Sequence, residues 1–141
     1  MSHVLTHPII ASYDGSASSR NALAYALGLA RMWGRQLLVV HVVHVPVYAG
    51  PQAAGSAALF DAGLSERWLR SELAEVADHS GVDVHVCARR GSPVRELQWV
   101  ITAHRADAIV IGAPSRSWRY VPGSVPAGLV RRASCPVIVV P

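Results

Sequence analysis

Five short apolar runs alternate with helical patterns along this chain, and that alternation restricts the fold more than any other feature. Residues 8–13 read as a first strand. Ser16 is a suitable N-cap, and Ala22, Leu23, Ala26, Leu27, Ala30 and Trp33 then share one helical face, with Gly34 as the stop. Residues 36–45 are almost continuous in Leu and Val, as a strand covered on both faces should be. A second helix is expected over residues 59–79, with Leu64, Trp68, Leu69, Leu73, Val76 and Ala77 inward, before Ser80-Gly81 ends it. Residues 82–90 alternate more, which suits a strand at a sheet edge. Ser92-Pro93 opens a third helix that buries Val94, Leu97 and Ile101 and runs to about His104. Residues 108–111 form the fourth strand, residues 124–133 the last helix, and residues 137–140 the fifth strand.

Strands joined by helices of this length require parallel crossovers and a sheet covered on both sides. The expected fold is therefore α/β: a doubly wound, five-stranded parallel sheet of order 3-2-1-4-5 in a Rossmann-like three-layer arrangement. The 141 residues suffice for one domain with one core, read as residues 1–141. Residues 1–7 are expected to be flexible. Residues 46–58, rich in Pro, Gly and Ala, are expected to be a mobile loop.

Composition removes several classes of chemistry. The chain has no lysine, which excludes a P-loop lysine, a Schiff base and any pyridoxal-type mechanism. Its net charge of +4 comes from arginines scattered over different elements without interleaved aromatics, so no nucleic-acid partner is expected. No apolar run approaches the ~20 residues of a membrane span, and the N-terminus has no secretory pattern. The expected setting is soluble and cytoplasmic. Cys87 and Cys135 lie among apolar strand residues outside any C-x-x-C pair and read as buried and reduced. The histidines form no metal signature, and no nucleophile elbow is present, so no catalytic and no metal-binding residue is assigned.

Two stretches suggest a ligand site. Tyr13-Asp14-Gly15-Ser16 follows the first strand. Gly112 ends the fourth, and Gly123-Ser124 precedes the last helix. If strands one and four are neighbours whose connections leave in opposite directions, these ends meet at a topological switch point, where open α/β sheets bind ligands. The free N–H groups of a helix start favour a phosphate.

In order along the chain, Asp14-Gly15-Ser16, His41-Val42, Gly91-Ser92-Pro93, the segment from Ala106 to Gly112, Gly123-Ser124-Val125 and the segment from Cys135 to Val140 resemble the single-domain universal stress proteins over nearly the whole length. That resemblance implies the doubly wound fold and a homodimer. The pairing edge would be the apolar strand Val137–Val140, which has little to blunt it. It also implies a non-enzymatic stress-response regulator that binds ATP, with or without Mg2+. The implied site is Ser12, Tyr13 and Asp14 at the first strand, Val42 at the second, Ile111, Gly112 and Ser115 at the fourth, and Gly123, Ser124 and Val125 at the last helix. In it Asp14 would bond the nucleoside, and Val42 and Ile111 would wall the adenine. Nucleotide-binding relatives carry the pattern G-x2-G-x9-G-S/T. Here Ser115 stands at the second glycine, and seven residues stand where the pattern has nine. Pro114 also lacks an N–H. Arg116 and Arg119 could supply charge to phosphates, and Trp118 and Tyr120 could stack on a base. The competing expectation is a degenerate site in a protein that works through dimerisation and protein partners. A slow nucleotide hydrolase or nucleotidyl transferase on the same fold is the third.

Overall fold

The computed structural model describes residues 4–44, 62–114 and 124–141. Its elements are β1 (Ile9–Ser12), α1 (Ala17–Trp33), β2 (Leu37–His44), α2 (Ala62–Ser80), β3 (Val84–Gly91), α3 (Pro93–His104), β4 (Ala108–Gly112), α4 (Val125–Arg132) and β5 (Val137–Val140). All strand pairs are parallel and the order is β3-β2-β1-β4-β5, as the sequence pattern predicts. The segment expected to be a mobile loop, residues 46–58, lies outside the described residues.

The central strand explains the layering. Ile9, Ile10 and Ala11 are completely buried. Because strand side chains alternate, Ile9 and Ala11 join a core with α1 and α2, including Ala22, Ala26, Leu69 and Leu73. Ile10 joins a second core with α3 and α4, including Leu97, Ile101 and Leu129. Two helices therefore cover each face. The connections run from β1 towards β3 on one side, and then cross back to β4 and β5 on the other.

Local sequence fixes the helix ends. Ser16 caps α1 by accepting the Ser19 N–H, and Gly34 ends it in the left-handed conformation at φ 63°. Ser92 sits at the cap position of α3, with Pro93 in the first turn, but its side chain makes no cap bond. Helices α3 and α4 cross closely at Gly128, where a Cβ would come within 2.8 Å of a Val94 methyl.

Three expectations need correction. Of its described apolar residues, helix α2 buries only the narrow stripe of Leu69 and Leu73. Leu64, Trp68 and Val76, expected inward, are substantially exposed. The helix covers edge strand β3, so one stripe of its surface finds the core and the rest faces out. Trp33, at the last position of α1, is likewise outside the core. The start of the chain is held rather than loose from Leu5 onward: Leu5 is 3% exposed and packs in the α3/α4 core. The thiols match their expectation more closely. Cys87 and Cys135 are half-buried, unbridged, and pushed above the ordinary thiol range by burial. Among the described residues, no helix is long and apolar enough to cross a membrane.

Leu129 is completely buried and is the buried residue of the eight-residue helix α4. Leu129→Ala is expected to lower the unfolding free energy by about 2–5 kcal/mol, measured by urea denaturation. A loss below ~1 kcal/mol would show that α4 is not fastened through this side chain.

Candidate functional site

The site begins where β1 stops. Ser12 is its last residue, paired with Val40 of β2, while β2 continues to His44 and β4 continues to Gly112. The two outer strands thus outrun the strand between them. Alternate residues of a parallel strand turn both N–H and C=O towards the same neighbour. The Val40 carbonyl accepts the Tyr13 N–H on the β1 side. Val42, two residues further on, therefore presents its peptide groups to the same side, where β1 has left the sheet. At the two ends of β4, Ile109 donates to Pro136, just before β5, and Ala113 donates to Val140 of β5, so Gly112 presents its peptide groups to the β1 side. Between them lies a cleft of about 730 Å³.

Ser12, Tyr13, Asp14, Val42, Ile111, Gly112, Ser124 and Val125 all line this cleft. The sequence placed these eight in one site, and the fold brings them together. Ser115 and Gly123 lie outside the described residues, as do Arg116, Trp118, Arg119 and Tyr120. Sequence reasoning missed His41, Pro93 and the Ser16–Ser19 turn of α1, which also line the cleft. His41 precedes Val42, and its position at the end of β2 could have flagged it.

Asp14 has a structural duty. Its Oδ1 accepts the Ser16 N–H at 2.9 Å, an Asx turn that leads the chain through Gly15 at φ 84° into α1. A carboxylate has about four acceptor positions, so capacity remains for a ligand. Burial pushes this carboxyl upward. Hydrogen bonds from Ser16 and Ser19 and the nearby His41 imidazole outweigh it, and the net shift is downward. The carboxylate is therefore charged at neutral pH. Whatever it contributes to the turn is present above the ordinary carboxylate range and is lost as pH falls through its lowered value.

His41 holds the chain from the other side. Its Nδ1 lies 3.0 Å from the Tyr13 carbonyl oxygen, which can only accept, so the proton sits on Nδ1. The Trp68 ring packs on His41 at 5.0 Å and on Tyr13 at 6.1 Å between centroids. That contact explains why Trp68, although 40% exposed, is not an idle surface residue. The Tyr13 hydroxyl donates to Glu72 at 3.1 Å, which ties α2 to the same corner.

At the phosphate-like end, Ser124 caps α4 with a long 3.4 Å bond from the Ala127 N–H. Pro126, in the first turn, has no N–H to offer. The helix start leaves the Val125 amide without an intrahelical acceptor, and the α1 start does the same for those of Ala17 and Ser18. Gly112 has a packing reason to be glycine. A Cβ there would lie 2.7 Å from the Ser18 backbone carbon and 2.8 Å from the Ser19 nitrogen. The first turn of α1 rests directly on the end of β4.

The match to the Universal stress protein family extends over residues 6–141. The chain belongs to the universal stress protein family. A relative from Thermus aquaticus is 31% identical, over 94% of this chain and 96% of its own length. Among solved structures, the universal stress protein UspA of Lactobacillus plantarum superposes with a TM-score of 0.75 at 23% identity, covering 99% of this chain and 100% of that one. A universal stress protein in complex with cAMP gives 0.71 at 22% identity, covering 96% and 97%. The Archaeoglobus fulgidus protein in complex with dAMP gives 0.67 at 22% identity, covering 98% and 100%. These likenesses establish the shared α/β fold.

Gly112→Ala is expected to destabilise the universal stress fold by about 1–3 kcal/mol through overpacking against α1, read from thermal or urea unfolding. A neutral effect would mean that the α1–β4 contact yields freely.

Proposed function

We propose that this universal stress protein is a non-enzymatic adenine-nucleotide-binding regulator of the stress response that acts as a homodimer. One observation carries the reading: β1 ends before its neighbours, so the peptide groups of Val42 and Gly112 face one cleft beside the Asp14 carboxylate. An adenine edge offers an amine donor and a ring-nitrogen acceptor. The Val42 C=O and N–H complement both, and the Val42 and Ile111 side chains provide apolar walls. Ribose hydroxyls donate to Asp14. A phosphate is drawn to the starts of α1 and α4, where unpaired N–H groups and the helix dipoles concentrate positive potential. The cAMP and dAMP complexes of family relatives support this ligand class.

ATP is the ligand that the family resemblance suggests. Asp14 is the side-chain carboxylate among the described cleft residues, and it is already bonded to Ser16. Mg2+ would therefore be held chiefly by the phosphates of the nucleotide. Dimerisation is proposed through β5, an edge strand of four apolar residues. Pro114 and Pro126 favour a second reading. Each removes an N–H from the cleft rim, which suits a degenerate site and a function exercised through protein partners.

Calorimetric titration of AMP and ATP, with and without Mg2+, separates the two. Asp14→Asn keeps an Oδ1 acceptor for the Ser16 N–H but places a donor where the ribose would find an acceptor. It is expected to weaken nucleotide binding by about tenfold or more, the scale of a hydrogen bond to a charged group, with little change in melting temperature. Absence of heat with either nucleotide, or equal heats for both proteins, would reject nucleotide binding at this cleft. A monomeric mass by light scattering would reject the dimer.

A further inference from the structure

At the opposite end of the sheet from the cleft, the segment before β1 is fastened to the last residue of α3. The Leu5 N–H donates to His104 Nδ1 at 2.9 Å, and the His7 N–H donates to the His104 carbonyl at 3.0 Å. His104 is 8% exposed, and Leu5 shares the α3/α4 core with Ile101, Ile109 and Leu129. A backbone N–H can only donate. Nδ1 must therefore carry a lone pair, and the ring is neutral with its proton on Nε2. Protonating Nδ1 would set two donors against each other in a buried place.

We propose that residues 4–7 form an acid-sensitive latch: protonation of His104 expels the Leu5 N–H and releases the Leu5 side chain from the α3/α4 core. Burial already holds the His104 imidazole below its ordinary value, so the sign is fixed. Attachment is complete above the ordinary histidine range and is lost as pH falls through the lowered value.

The other charged or titratable groups at this end do not reverse that sign. His7 Nδ1 donates to the Arg105 carbonyl at 2.9 Å and lies 3.6 Å from Asp107, whose other oxygen accepts from Arg35 at 2.6 Å. Protonating His7 would strengthen its pairing with Asp107. That pair is part-exposed and screened by solvent, so it adds little. Arg105 is exposed and remains charged throughout. Cys135, in the same core, is kept a thiol by burial. The latch is separate from the nucleotide reading and survives its failure.

Amide hydrogen exchange of Leu5 between pH 8 and pH 5, corrected for intrinsic rates, tests it. The protection factor is expected to be constant at the alkaline end and to fall towards about tenfold per pH unit below about pH 6.5, since opening takes up one proton. His104→Gln retains an acceptor that does not titrate and is expected to flatten the profile. His7→Gln is expected to leave the slope in place. A flat profile in the unaltered protein, or an undiminished slope in His104→Gln, would overturn the proposal. Should His104→Gln fail to fold, nitrogen NMR shifts of the His104 ring decide independently: a protonated Nδ1 at pH 7.5 would also overturn it.

Discussion

β1 is hydrogen-bonded to a neighbour on each side and covered by helices on each face, and only four residues long. Its burial is complete at Ile9, Ile10 and Ala11. Each fully buried Ile contributes about 1.5–3 kcal/mol by area, so this strand is where the two cores are fastened to one sheet. Its shortness matters as much as its burial. β2 and β4 run on past it, and their inner peptide groups, at Val42 and Gly112, lose the partner that ladder pairing would have supplied. An unpaired backbone donor or acceptor is costly unless water or a ligand satisfies it. The cleft follows from strand lengths before any side chain is considered.

The side chains then specialise it. Asp14 and His41 fix the exit of β1 from opposite sides, one through the Ser16 amide and the other through the Tyr13 carbonyl. Trp68 and Glu72 bring α2 to the same corner. Gly112 allows α1 to sit on β4, so the start of α1 reaches the cleft rim. Preorganisation of this kind lowers the entropy that a ligand must overcome on binding. Pro114 and Pro126 act against it by withholding amides from the rim.

Much of this architecture was legible because both of its periodicities are strong. Near-continuous Leu and Val in residues 37–40 marked a strand covered on both faces, and the alternation in β3 marked an edge. Gly34 and Ser16 set the limits of α1 by their own backbone and capping chemistry. The failures share a cause. Leu64, Trp68 and Val76 satisfy helical spacing, yet spacing does not reveal how wide a face the partner layer can cover, and α2 lies over a sheet edge. Trp33 fails similarly, one step beyond the end of the core. At the site, the pattern located the residues but misjudged two of them. His41 was set aside with the other histidines for want of a metal signature, a test blind to its bond with the Tyr13 carbonyl. Gly112 was read only as the strand end that borders the site, whereas its constraint is contact with a helix more than 90 residues earlier in the chain. The grip of His104 on Leu5 spans a similar separation and has no local signature.

The space vacated by β1, between Val42 and Gly112, is proposed to receive an adenine nucleotide. An amide-resolved NMR titration with AMP addresses it most directly. The largest shifts are expected at Asp14, Val42, Gly112 and Val125, with Leu5 and the start of β4 unmoved. Shifts centred on the β5 edge or on the N-terminal end of the sheet, or none at millimolar AMP, would contradict it.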